Sequence, residues 1–298
     1  MFYSFNISIK NLSSIFSKLM ILKSIERRSN LSKEAFKNEY LDKNLPVILT
    51  DMSKDWVGLD KWSFDFFKEK YGDLQVPLVD KNFHNPGAHY MEKKKVAFKT
   101  YIEAIEKGPT DLRLFLFNIF AEAPELREDF TWPTIMDGFV KTLPFMFFGG
   151  KDSITPLHFD IDCPSNFLTQ FHTKKKVLLF DKDQSKYLYH QPFTVQSQVD
   201  LHNPDYDKFP ALRKAEGIEA ILEHGDTIYI PPHWWHYIEY VDSGFSLALR
   251  AHNSIANKFV AVRNLVQHSV IDKGMNKVLG EKWKNWKLET AKHRAETY

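Results

Sequence analysis

Two residues of the run Thr155-Pro156-Leu157-His158-Phe159-Asp160 have the types and spacing of metal ligands. In a β-strand, residues i and i+2 project from the same face, so a strand through this run carries the His158 imidazole beside the Asp160 carboxylate. A third donor stands far downstream, in Pro231-Pro232-His233-Trp234-Trp235-His236. With His236 the set becomes two imidazoles and one carboxylate on one face of a cation. Three coordination positions stay open, which suits non-haem Fe(II) and oxygen activation. The chemistry expected is that of an iron oxygenase. A His-x-Asp pair alone is common on protein surfaces, so the surrounding elements decide.

Those elements are legible. The pair follows a Gly149-Gly150 turn. Upstream of His236, the β-branched and aromatic run Asp226-Thr227-Ile228-Tyr229-Ile230 is preceded by Gly225 and stopped by two prolines, the punctuation of a strand. After Leu143-Pro144 short apolar runs alternate with turn residues, as in a β-barrel or sandwich. Asn166 to Phe171 and Lys176 to Phe180 read as a hairpin about His172-Thr173-Lys174. Asn203 to Leu212 reads as a loop with one helical turn, and Phe245-Ser246-Leu247-Ala248-Leu249 as a late strand. Before this core the chain alternates between helix and strand. Helices are expected from Ser32 to Leu41, Ser63 to Lys70 and Tyr101 to Glu106, and strands at Pro46 to Thr50, Leu74 to Val79 and Leu112 to Phe117. Beyond Asn253 two helices are expected, Ala256 to Val270 and Asn276 to about Ala295. The chain reads as one domain, 1–298, with an α/β elaboration over 31–142, a β core over 143–253 and C-terminal helices over 254–298.

Composition narrows the class. Of 298 residues 43% are hydrophobic, with 25 Phe, 12 Tyr and 7 Trp, ample for a sizeable core. Forty basic and 38 acidic residues leave a formal charge of +2, so no global field favours nucleic acid or an anionic membrane. Lys93-Lys94-Lys95 and Lys174-Lys175-Lys176 are too short for a nucleic-acid patch. The single Cys163 excludes an internal disulfide and a cysteine-rich zinc site. A reducing cytoplasm fits that lone thiol and the need to keep iron as Fe(II). No run reaches the ~18 apolar residues of a membrane helix. Met1 to Met20 is apolar and free of Asp and Glu. It reads as an amphipathic surface helix, or as sequence ahead of a start at Met20, in preference to a targeting segment.

Four segments, in order and approximate spacing, resemble a known family: Thr155 to Asp160; Asn166-Phe167-Leu168-Thr169-Gln170 with Lys174 to Phe180; Gln196-Ser197-Gln198-Val199-Asp200 running on to Phe209-Pro210; and Gly225-Asp226 to Glu239. The stretch from about Leu143 to Asn253 is similar to the JmjC/cupin-like 2-oxoglutarate oxygenases, in particular to the branch containing the asparaginyl hydroxylase that inhibits hypoxia-inducible factor. The resemblance implies a mainly β fold with α elaborations, a double-stranded β-helix of the jelly-roll type. It implies Fe(II) on His158, Asp160 and His236, and 2-oxoglutarate as co-substrate. Lys175 matches the lysine that pairs with the distal carboxylate, Thr155 offers a hydroxyl to the same group, and Asn166 matches a residue near the co-substrate. Gln196 aligns with a glutamine that contacts the target side chain. Trp235 beside the metal strand is expected in the core or, second, lining the substrate pocket. The family's C-terminal helices imply a homodimer here.

The chain also departs from the pattern. Phe115 stands where the hydroxylase has a tyrosine and cannot donate a hydrogen bond. Arg250 stands where an asparagine follows the strand after the second histidine; it either contacts a carboxylate of the co-substrate or pairs with Asp162. Val195 replaces an arginine, which argues against simple transfer of asparaginyl specificity. His233 competes with His236 as a ligand, but Pro231-Pro232 disfavours a regular ladder there and Trp-Trp-His fits the family better. Asp162 has the wrong spacing from His158. The expected activity is hydroxylation of a side chain in a protein or peptide, followed by a small-molecule hydroxylase, with lysine demethylation ranked behind. A non-oxidative cupin using Zn or Mn, or a silent binding module, are the readings of other classes.

Overall fold

The computed structural model describes residues 19–80 and 95–298. The expectations for Met1 to Met20 and for Lys93 and Lys94 fall outside the described residues, apart from Leu19 and Met20.

Fourteen strands are described: β1 (Ile21–Ser24), β2 (Arg27–Arg28), β3 (Val47–Leu49), β4 (Gln75–Pro77), β5 (Lys95–Ala97), β6 (Arg113–Phe117), β7 (Phe145–Gly149), β8 (Ile154–His158), β9 (Ser165–Phe171), β10 (Lys175–Phe180), β11 (Glu216–Leu222), β12 (Thr227–Ile230), β13 (Trp235–Tyr240) and β14 (Gly244–Ala251). They form a five-stranded sheet in the order β1-β11-β10-β13-β8, a seven-stranded sheet in the order β2-β3-β12-β9-β14-β7-β6, and a small β4-β5 pair. From β7 onward the chain passes from one large sheet to the other at nearly every connection. That alternation is a double-stranded β-helix, the fold expected.

One expectation fails in an instructive way. Phe171 and Lys175 do not bound a hairpin, because β9 pairs with β12 and β14 whereas β10 pairs with β11 and β13. The chain crosses between sheets at His172, whose φ of 68° lies in the left-handed region. A short apolar run, a polar turn and a second apolar run look the same in sequence whether the second strand pairs back or crosses over.

Local signals place the helices. Ser32 and Ser63 accept the N–H groups of Ala35 and Phe66 at 3.1 Å each, starting α1 (Lys33–Phe36), which widens into a π-helical turn at Lys37–Leu41, and α3 (Phe64–Tyr71), with α2 (Val57–Lys61) between. Next come α4 (Phe98–Lys107) and α5 (Ile119–Glu122). Their apolar faces cover the outside of the seven-stranded sheet, where Phe67, Phe98, Phe148 and Phe245 meet with ring centroids 5.0 to 6.0 Å apart. Each such buried side chain contributes roughly 1.5–3 kcal/mol. Leu168, Val177, Leu179, Ile228, Ile230 and Ala248 fill one end of the space between the two sheets. The other end stays open.

C-terminally, α6 (Ile255–Val266) continues through a π-helical stretch (Gln267–Asp272) into α7 (Lys273–Leu279). The helix runs through Gly274; the break falls at Gly280, with φ 51°, before α8 (Glu281–Thr297). Asp272 holds the turn together, accepting from the Trp283 indole at 2.8 Å and the buried Lys287 ammonium at 2.5 Å. No helix of the described residues is long and apolar enough to cross a membrane.

Candidate metal centre

β8 and β13 are antiparallel neighbours, and their register sets His158 directly opposite His236. The two rings lie 4.2 Å apart between centroids. Asp160 completes the group, and one ligand atom from each of the three residues lies within 4.8 Å of the others. The strand ends at His158, however, so Asp160 sits beyond it, in a turn closed by the Cys163 N–H donating to the Asp160 carbonyl at 3.1 Å. The carboxylate still faces the imidazoles, with Oδ1 4.0 Å from His236 Nε2.

Both histidines are pre-set for a cation. Nδ1 of His158 lies 2.8 Å from the Pro156 carbonyl and Nδ1 of His236 lies 3.1 Å from the Trp234 carbonyl. A carbonyl only accepts, so each Nδ1 carries the hydrogen and each Nε2 lone pair is left for a metal. Burial, then the neighbouring His236, pushes His158 down to about 3, which keeps its imidazole neutral. Burial acts to raise Asp160, but Arg250 and the two imidazoles outweigh it and hold the carboxyl below its ordinary value. Two imidazoles and one carboxylate fit Fe(II) in a facial arrangement.

The group borders a cavity of about 290 Å³ between the two sheets. Thr155, Asn166, Lys175, Gln196 and Arg250 border it with the three ligands, as does Phe115. Lys175, 1% exposed, bonds to Ser246 Oγ and lies 4.1 Å from the centre of the Tyr240 ring. No carboxylate among the described residues is within ion-pair distance of it. Burial, then the charge of Arg113, depresses the ammonium well below its ordinary value. A buried ammonium without an anion is costly, and it fits an anionic ligand such as the distal carboxylate of 2-oxoglutarate. Asn166 Oδ1 is buried in the same space without a hydrogen-bond partner among the described residues.

Other expected residues go elsewhere. Trp235 is fully buried and does not reach the cavity: alternation along β13 turns it away from His236, and its indole donates to Ser185 Oγ at 2.8 Å while its ring meets Phe159 and His190. His233 is likewise apart from the ligand group, next to Cys163 Sγ at 3.4 Å and Asn257 Oδ1 at 3.3 Å. Asp162 accepts from Arg250 at 2.6 Å, and Arg250 also lies 3.5 Å from Asp160 Oδ2. His172, His190, His202 and His224 also stay out of the group. Several residues at the site carried no sequence signal. Ser246 and Tyr240 flank Lys175, and Leu265, His268, Ser269 and Lys273 from the C-terminal helices form part of the cavity rim. Only the fold brings them there.

A model of the Cupin-like domain matches residues 32–254. Among curated relatives, the chain is 29% identical over 255 residues to "Lysine-specific demethylase JMJ30" of Arabidopsis thaliana, covering 82% of this chain and 58% of that protein. It is 30% identical over 232 residues to "Lysine-specific demethylase 8" of Xenopus tropicalis, covering 73% and 50%. It is 29% identical over 263 residues to "JmjC domain-containing protein D" of Dictyostelium discoideum, covering 78% and 57%. The chain thus spans about half of the length of these relatives, 50% to 58%. With the match running across the described β-helix and its metal-binding trio, the chain belongs to the Cupin-like domain family, in the company of JmjC proteins.

Proposed function

We propose that this chain is an Fe(II)- and 2-oxoglutarate-dependent oxygenase that hydroxylates a side chain of a protein or peptide. The observation that carries the reading is the pairing, in one cavity, of His158, Asp160 and His236 with the buried Lys175 at a separate position on the wall. When bound, Fe(II) and 2-oxoglutarate would allow molecular oxygen to serve as the oxidant, one oxygen atom ending in succinate as the oxo acid loses CO₂ and the other in the hydroxylated C–H position. The protein's own residues do the rest. The three ligands fix the cation on one face, Lys175 and Thr155 orient the oxo acid, and Phe115, Phe147, Leu168, Ile230 and Ala248 keep the cavity apolar and exclude water.

Relatives named as lysine demethylases support a protein substrate, since demethylation also starts with oxidation of a C–H bond, on an N-methyl group. The balanced charge supports protein over nucleic acid as partner, and the lone, buried Cys163 supports a reducing, cytoplasmic setting. The test is succinate formation that requires both Fe(II) and 2-oxoglutarate, followed by mass spectrometry of candidate proteins under labelled oxygen. Label retained on a side chain supports hydroxylation, formaldehyde release supports demethylation, and no succinate under any condition sinks the oxygenase reading.

A further inference from the structure

Strand β6 carries an exchange of donors. Phe115 has no hydroxyl to offer where the similar hydroxylases have a tyrosine. Two residues earlier on the same face stands Arg113, 2% exposed, with its guanidinium carbon 6.0 Å from the centre of the Phe115 ring. Its backbone is clamped by reciprocal bonds to Val79, at 2.7 and 2.9 Å. Its Nη1 donates to the hydroxyl of Thr155, which borders the cavity.

The direction of that bond matters. A guanidinium has donors and no acceptor, so the Thr155 oxygen must accept and its own hydrogen is left to donate elsewhere. A matching logic governs Lys175. Its ammonium donates to Ser246 Oγ, Ser246 donates on to Gln170 Oε1 at 2.6 Å, and the Gln170 amide nitrogen is engaged by the carbonyls of Phe171 and Thr173 at 3.1 and 3.3 Å. This leaves two of the three Lys175 donors uncommitted. One end of the cavity therefore presents a hydroxyl donor and an ammonium, with a second buried positive charge behind the hydroxyl.

We propose that Arg113 is a positioning residue for the distal carboxylate of a dicarboxylic 2-oxo acid: it orients the Thr155 hydroxyl as a donor and adds the positive charge that makes this end of the cavity select an anion. Arg113 replaces in function the tyrosine that Phe115 displaces, from one step back along the strand. This inference rests on the oxygenase reading above.

The test is calorimetric titration of the Mn(II)-loaded full chain, without oxygen, with 2-oxoglutarate and with 2-oxobutanoate, which keeps the chelating end and lacks the distal carboxylate. Wild-type protein is expected to prefer 2-oxoglutarate. Arg113→Met is expected to weaken 2-oxoglutarate about tenfold or more, the scale of a lost charge-assisted contact, while leaving Mn(II) and 2-oxobutanoate binding unchanged. Arg113→Lys recovers part of the loss. Because Arg113 acts through Thr155, the loss from Arg113→Met is smaller in a Thr155→Val background. Equal weakening of both acids, or none, overturns the inference. Should Arg113→Met fail to fold, Thr155→Val and Arg113→Lys decide: unchanged preference for 2-oxoglutarate in both overturns it. Wild-type protein that binds Mn(II) but not 2-oxoglutarate defeats the oxygenase reading itself, whereas wild-type binding with an unaltered Arg113→Met defeats only the role of Arg113.

Discussion

His158 and His236 occupy opposing positions of the β8–β13 pair, so the distance between the two imidazoles is fixed by strand register. A one-residue slip would turn His236 to the other face and bring Trp235 in its place. Removing either imidazole takes one of three protein ligands. His158→Ala and His236→Ala should each lower Mn(II) affinity by about a hundredfold or more, at or above the upper end of what loss of an outer-shell partner costs. His233→Ala should bind Mn(II) as wild type does. Titration calorimetry checks all three, and tight binding by the His236 variant would refute the ligand assignment.

Arg250 lies against Asp160 Oδ2 at 3.5 Å while Oδ1 faces His236, so the guanidinium turns one carboxylate oxygen away from the cation position. Arg250→Met should weaken Mn(II) binding about tenfold, through the lost orientation of a ligand. It should also destabilise the fold by about 1–2 kcal/mol, because Asp162 loses its 2.6 Å partner but keeps His252 at 3.4 Å and some access to water. Metal titration and urea denaturation separate the two effects.

Lys175 makes stability depend on pH. Its value in the fold lies well below 10.5, so between the two values the unfolded chain holds a proton that the folded chain does not. The penalty is full below the folded value, fades as pH rises, and is gone above 10.5. Lys175→Met should therefore stabilise the ligand-free protein at neutral pH by about 1–3 kcal/mol and flatten its rise in stability toward alkaline pH. The same variant should lose 2-oxoglutarate binding. Melting curves at neutral and alkaline pH provide the check; a variant less stable than wild type at neutral pH contradicts the argument.

Gly149 marks a close approach. A Cβ there would stand 2.6 Å from Tyr240 ring carbons and 2.7 Å from Ser153 Oγ. Gly149→Ala should cost about 1–3 kcal/mol by overpacking. Since Tyr240 lies against the Lys175 ammonium, 2-oxoglutarate affinity should fall as well. Chemical denaturation gives the first number and titration the second.

The C-terminal helices leave Ile255 and Phe259 each 73% exposed, with Val262 at 59% and Val278 at 77%. Exposed apolar surface of this extent marks an association site, and we propose that a second copy covers it. Light scattering should give the mass of a dimer for the wild type and of a monomer for a Phe259→Glu, Val262→Glu double variant. A monomeric wild type ends this proposal.

How much of this was legible beforehand follows from the range over which each signal acts. Ser32 and Ser63 announce their helices because capping is local, and the two-residue alternation of β14 announces a strand for the same reason. His158, Asp160 and His236 were legible because a metal needs particular donors and few other residues supply them. Beyond that, pairing decides. Which sheet β10 joins, and hence where Lys175 sits relative to Ser246, depends on a crossing at His172 that no local pattern encodes. Trp235 lies in the core, the first of its two expected places, and only the parity of β13 separates that from a cavity wall. Arg113 carries no signal of its own beside Phe115, since an arginine in a strand is ordinary until burial gives it weight.

The hydrogen bond from Lys175 on β10 to Ser246 on β14 spans the gap between the two sheets. The metal ligands come from the five-stranded side, whereas Asn166 and Arg250 belong to the seven-stranded side. A small molecule seated in that gap acts as a rivet, so amide protection against exchange should rise in both walls together once the cavity is filled, not only in the strands that touch the metal.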